Sequence, residues 1–267
     1  LLDAATIAHL GEAAALAVQL LHATARFDDA IQEAHAALAR HPAPVPVAEM
    51  WTSFRMPNSR QLARSVSICC FEIGSAIGRW MFSVGTNRGQ EAAPLVVGDT
   101  LYVTSSFGPK NVFAVNAKTG EVKWRYSPEL PKNVDQFACC DVNSRGVTYA
   151  NGKIFFGRLD AKMTALDAKT GKELWTSTVV DYTQGSVITS PPTIAKGLVI
   201  TGYGGGEYGV RGALVAYDQN TGKEVWRTST VPQANEKGGD TWKGDSAKHG
   251  GGAAWYIGSY DPKLNLI

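Results

Sequence analysis

Three twelve-residue segments recur at a fixed interval: "FAVNAKTGEVKW" (113–124), "TALDAKTGKELW" (164–175) and "VAYDQNTGKEVW" (215–226). Ala114, Ala165 and Ala216 are 51 residues apart, and so are Gly120, Gly171 and Gly222 and then Trp124, Trp175 and Trp226. Each copy reads as a strand, a tight turn in which Gly accepts positive φ, and a second strand ending in Trp, which is a β-hairpin. Further β-rich runs precede the hairpins, "PLVVGDTLYVT" (94–104), "GVTYANGKIFFG" (146–157) and "PPTIAKGLVITG" (191–202), bringing each repeat to about four strands. A period near 50 residues with four strands describes a β-propeller blade, with the repeated Trp docking one blade on the next. Propellers close with about four to eight blades, so residues 80–267 are expected to form part of a ring. The final "DPKLNLI" reads as the start of another strand.

The first part of the chain has a different texture. Residues 3–40 are rich in Ala and Leu, contain no Pro and place Phe27, Ile31, Ala34 and Leu38 on one helical face. The prolines of "HPAPVPV" (41–47) then favour an extended linker. The expected division is therefore a helical or irregular segment over 1–79 and a partial propeller over 80–267.

With 44% apolar and 19% charged residues in 267, the chain has material for a packed core. A net charge of +2 with dispersed Lys and Arg offers no concentrated basic face, which argues against nucleic acid or an anionic membrane as partner. The longest apolar runs, such as "ALAVQLL" (15–21), are shorter than the roughly 20 residues of a spanning helix. No basic segment precedes the first apolar stretch and no cleavage site follows it, so no signal peptide is read in this chain.

All four cysteines are neighbours, Cys69 with Cys70 and Cys139 with Cys140, and neither pair has the C-x-x-C spacing of zinc or thioredoxin-like sites. Two readings remain for Cys139 and Cys140. Either they are buried thiols, or they close a tight eight-membered ring, because adjacent α-carbons lie about 3.8 Å apart where disulfides favour about 4.4 to 6.8 Å. Cys69 and Cys70 read as buried thiols.

The Ala, Gly and Trp register, together with "GQEAAPLVV" (89–97), "ACCDVNSRG" (138–146), "GGEYGVRG" (205–212) and "GDSAKHGGGAAW" (244–255), resembles the quinoprotein alcohol dehydrogenases. That family comprises eight-bladed propellers with tryptophan-docking motifs that use pyrroloquinoline quinone (PQQ). The resemblance implies that Cys139 and Cys140 form a ring disulfide against one face of the quinone while Trp255 stacks on the other. It further implies that Arg145, Thr189, Glu91 and the Gly205–Gly206 turn contact the cofactor, with Arg145 facing its anionic edge. Glu207 matches the carboxylate that ligates Ca²⁺ or a lanthanide, a hard cation suited to oxygen, which polarises the quinone carbonyl. Gly204 departs from relatives that carry Ser at this place.

The expected reaction is oxidation of a small primary alcohol to an aldehyde, with a cytochrome c as electron acceptor in the periplasm and a homodimer as assembly. The family's general base is expected beyond Ile267, so no catalytic residue is assigned on this chain. The alternative from another class is a non-catalytic propeller segment serving as a protein-binding scaffold. Trp124, Trp175 and Trp226 keep the 51-residue register and read as structural docks, whereas Trp255 breaks it. His249 is read as a loop residue without a role.

Overall fold

The computed structural model describes residues 67–72, 77–84, 91–105, 112–138, 142–256 and 258–267. The helical reading of 3–40, the linker 41–47 and the Cys139–Cys140 pair lie outside the described residues. The chain divides into two compact units, and the smaller includes residues 67–83 and 118–120. In it β1 (Ser67–Glu72) pairs antiparallel with β2 (Ile77–Ser83), with Cys70 opposite Trp80. Within this unit a Cβ added to Gly120 would come within 2.7 Å of the Trp80 ring, so Trp80 is another indole seated on a repeat glycine.

The larger unit contains three four-stranded antiparallel sheets, each running in chain order. The first comprises β3 (Leu95–Val97), β4 (Thr100–Thr104), β5 (Val112–Asn116) and β6 (Val122–Tyr126). The second comprises β7 (Thr148–Ala150), β8 (Lys153–Gly157), β9 (Lys162–Asp167) and β10 (Glu173–Thr178). The third comprises β11 (Thr193–Ala195), β12 (Leu198–Thr201), β13 (Ala213–Asp218) and β14 (Glu224–Ser229). The four-strand repeat read from the sequence is thus present three times.

The middle sheet is apolar on both faces, as strand alternation requires of a layer buried on two sides. Ile154, Phe156 and Leu166 pack with Tyr102, Val112 and Ala114 of the first sheet. Phe155, Met163 and Ala165 pack with Val199, Val215 and Tyr217 of the third. Each repeat Ala lies opposite its repeat Trp in the ladder, Ala114 to Trp124, Ala165 to Trp175 and Ala216 to Trp226, next to a register shift.

The indoles then reach forward by one sheet. Trp124 Nε1 donates to Ala168 O at 3.0 Å, and Trp175 Nε1 to Gln219 O at 3.1 Å. A Cβ on Gly171 would meet the Trp124 ring at 2.6 Å, and one on Gly222 the Trp175 ring at 2.6 Å. Gly is required twice over in these turns, because φ is +72° and +68° there and because the next indole occupies the Cβ position.

The hairpin turns carry an acid-sensitive clamp. Asp167 Oδ1 accepts from Thr170 N at 2.8 Å and Thr170 Oγ1 at 2.7 Å, and Asp218 Oδ1 accepts from Thr221 N and Thr221 Oγ1, each at 2.9 Å. These donors, the threonine hydroxyls foremost, hold both carboxyls below the ordinary aspartate range. Carboxyls depressed by folding contribute stability that is full above about pH 4, the unfolded value, and fades as pH falls through their lower folded values. Asn116 occupies the corresponding place in the first hairpin. The Asp167→Asn, Asp218→Asn double variant is expected to lose less stability than the parent between about pH 4 and pH 2, read as urea midpoints across that range.

"DPKLNLI" folds back on itself as a hairpin-type turn, in which Asp261 and Leu266 form an antiparallel bridge and exchange backbone hydrogen bonds at 2.9 and 3.3 Å. Asp261 Oδ1 also accepts from Lys263 N and Leu264 N, and Asn265 takes φ of +54°. A short Asp side chain that bonds its own following amides favours a turn over extension.

Candidate functional site

The segments joining the sheets are tied to one another by hydrogen bonds to backbone carbonyls, and the expected site residues sit on those ties. Ala93 N donates to Arg145 O at 3.3 Å, where Ala93 and Gly146 form a parallel bridge. Arg145 N donates to Thr189 O at 2.7 Å. Ser190 Oγ donates to Trp255 O at 2.7 Å. The segment ahead of the first sheet and the segments that follow each of the three sheets are thereby joined in sequence.

This ladder brings three expected residues, Glu91, Thr189 and Trp255, together around a fourth, Arg145. Arg145 Nη2 lies 2.7 Å from Glu91 Oε2, and Arg145 Nη1 donates to Thr189 Oγ1 at 2.5 Å. Its Cζ stands 5.2 Å from the centroid of the Trp255 ring, within cation–π range. Asn143 Nδ2 donates to Glu91 Oε1 at 3.1 Å, which fixes the other carboxylate oxygen. Arg145 remains 29% and Glu91 44% exposed, so water and a ligand can still reach the pair.

Trp255 is 45% exposed and makes an edge contact with Tyr256, ring centroids 5.2 Å apart. Trp175, by contrast, is 8% exposed. The register that separated Trp255 from the docking tryptophans therefore also separates an accessible indole from a buried one.

The Gly-rich stretch lies against the segment leading to Trp255. Gly205 has φ of +115°, and a Cβ there would come within 2.8 Å of Gly185 O. A Cβ on Gly206 would be 3.2 Å from the Ala253 Cβ. Gly204 N donates to Val187 O at 2.9 Å, and a Cβ at Gly204 would be 3.8 Å from that of Trp255, an ordinary contact. A short side chain at Gly204 would thus stand beside Trp255, and the backbone leaves room for it. Glu207 is exposed on the short 3₁₀ turn Gly206–Tyr208. Among the described residues, no group of three His, Cys, Asp or Glu side chains is placed to hold a metal.

Asn143 and Ser190 were not singled out from the sequence. Each lies within two residues of an expected site residue, Asn143 in "DVNSRG" and Ser190 in "TSPP". That adjacency was the available signal.

The donor set suits a flat anionic ring. A guanidinium, a hydroxyl and a part-exposed indole converge on one place beside the Glu91 carboxylate, so cation and aromatic surface can meet a conjugated polycarboxylate while Glu91 offsets part of the charge. For a hard cation the described residues offer Glu207 as a carboxylate ligand, one of the six to eight oxygens that Ca²⁺ takes.

Comparison with known proteins identifies the family. Residues 80–267 match the family described as PQQ: glucose/ethanol/alcohol dehydrogenase, β-propeller domain. The chain is 44% identical to the lanthanide-dependent methanol dehydrogenase of Methylacidiphilum fumariolicum (strain SolV), over 70% of this chain and 34% of that protein. It is 40% identical to the quinohemoprotein alcohol dehydrogenase ADH-IIG of Pseudomonas putida, over 70% of this chain and 28% of that protein. Among solved structures, a europium-containing methanol dehydrogenase superposes with a TM-score of 0.66 at 43% identity, covering 69% of this chain and 35% of that one. The chain therefore spans about a third of the length of the relatives it matches.

Proposed function

Since the chain belongs to the PQQ-dependent glucose/ethanol/alcohol dehydrogenase β-propeller family, we propose that residues 80–267 supply much of a PQQ seat in an enzyme that oxidises a small primary alcohol to its aldehyde. The observation that carries this reading is the convergence of Glu91, Thr189 and Trp255 on Arg145. When bound, PQQ supplies a two-electron acceptor for hydride from the alcohol carbon, its carbonyl polarised by Ca²⁺ or a lanthanide.

Arg145 supplies positive charge to the cofactor's carboxylate edge, and Thr189 and Glu91 fix the direction of its guanidinium. The exposed Trp255 face provides a stacking surface, and Cys139 and Cys140 are proposed as the ring disulfide on the opposite face. Gly205 and Gly206 shape the turn that presents Glu207, the proposed metal ligand. We assign no general base to this chain.

A cytochrome c acceptor, a periplasmic location, a homodimer and closure into eight blades belong to the same proposal. No helix among the described residues is long and apolar enough to cross a membrane. Titrating PQQ with Ca²⁺ or La³⁺ into the purified chain, followed by quinone absorbance and tryptophan quenching, is expected to show saturable binding. Absence of binding would favour the non-catalytic scaffold.

A further inference from the structure

Between β8 and β9 the chain buries an ion pair that the proposed chemistry does not use. Arg158 is 6% and Asp160 2% exposed. The guanidinium forks onto the carboxylate, Nε to Oδ1 and Nη2 to Oδ2, both at 2.9 Å. Lys162 Nζ reaches Oδ2 at 3.2 Å from a half-exposed position. Removing two charges from water is costly, and a buried pair is weak evidence of stabilisation by itself. A positional role is the better-attested reason for retaining one.

The bonds made by Arg158 indicate what is being positioned. Its Nη2 also donates to Glu129 O at 2.9 Å, in the segment leading to the 3₁₀ turn Val134–Phe137 and then to Cys139. Its own carbonyl accepts from Ile188 N at 3.3 Å, one residue before Thr189. Directly beneath, a Cβ on Gly157 would overlap Ile188 Cγ2 at 2.0 Å, so the two backbones are closely packed. Leu159, fully buried between Arg158 and Asp160, packs with Val134 and Val187 from the same two segments and with Val142, which follows Cys140 in the chain.

We infer that the Arg158–Asp160 pair is a positioning device that joins the segment leading to Cys139 to the segment carrying Thr189, and so sets where Thr189 holds Arg145. This rests on the PQQ reading for its consequence in binding, but the positioning itself is measurable without ligand. A bidentate fork fixes an angle as well as a distance. Partners that orient metal ligands are worth roughly 10–100-fold in metal affinity, and the lower end of that range is the effect expected here.

The test compares four versions of the full chain by amide hydrogen exchange without ligand and by PQQ titration. Arg158→Lys keeps the charge and loses the fork. The Arg158→Met, Asp160→Leu double variant removes both charges at similar volume and guards against simple unfolding. Lys162→Met serves as control. Faster exchange at Ile188 and in residues 186–190, with the β13–β14 amides unchanged, is expected in the first two variants, as is about tenfold weaker PQQ binding. The control should match the parent. Unchanged exchange at Ile188, or a uniform rise through all three sheets, would overturn the positioning role. Failure of the parent chain itself to bind PQQ would count against the proposed function, while the exchange data would still decide the positioning role.

Discussion

Trp175→Ala is expected to lower the unfolding free energy of the three-sheet unit by about 3–5 kcal/mol, the range for emptying a buried aromatic site. The indole is 8% exposed, lies between Phe155 and Tyr217 and donates to Gln219 O. The substitution therefore opens a cavity and leaves a carbonyl without its donor. Against a total stability of about 5–15 kcal/mol for a domain, such a loss is severe. The half-buried Trp226 provides the comparison, because it packs against the small cluster of Ala195, Ile200 and Ala216 without the same enclosure. Trp226→Ala should cost clearly less. Urea midpoints followed by circular dichroism would measure both, and equal losses would show that the indoles do not act as graded docks.

The second large effect is on binding. Arg145→Ala is expected to weaken PQQ binding at least a hundredfold, about 3 kcal/mol, the upper range for a charge-assisted hydrogen bond. The variant removes the cation and leaves the Glu91 carboxylate facing an anionic ligand. Stability should change by no more than about 1 kcal/mol, because the Arg145–Glu91 pair is substantially exposed. Arg145→Lys should recover part of the affinity, since charge returns without the planar fork. Equilibrium dialysis beside thermal melting separates the two quantities. Unaltered affinity in Arg145→Ala would remove this residue from the seat.

The repeated features were legible in the sequence because they are local and periodic. A 51-residue interval fixes the Ala, Gly and Trp positions, and the continuous apolar run in "KIFFG" is what burial on both faces of a sheet requires. Arg145, Thr189, Glu91 and Trp255 were found through resemblance, and the structure adds that one guanidinium gathers the other three. The Arg158–Asp160 pair was not legible, because a charged residue in a loop reads as solvated until its burial is known. At Asp261–Leu266 the apolar residues read as strand, and the structure adds the turn that Asp261 sets by accepting from Lys263 N and Leu264 N.

The forward reach of each indole onto the next glycine carries a hazard during folding. Gly171 and Gly222 offer similar seats, so Trp124 could capture the turn meant for Trp175 and skip a sheet, a misassembly typical of repeat proteins. The side-chain pairs at the two junctions differ in a way that discriminates against this. Tyr126 donates to Glu173, whereas Ser177, 51 residues later, donates to Gly222 O, and Glu224 is engaged by Arg227 of its own strand. Lys153 Nζ adds a bond to Asn220 Oδ1 at the second junction. A skipped sheet would bring Tyr126 to a glutamate already paired and leave Glu173 without its phenol. The tryptophan seats are alike at the two junctions, and these polar pairs are the side-chain contacts that differ between them.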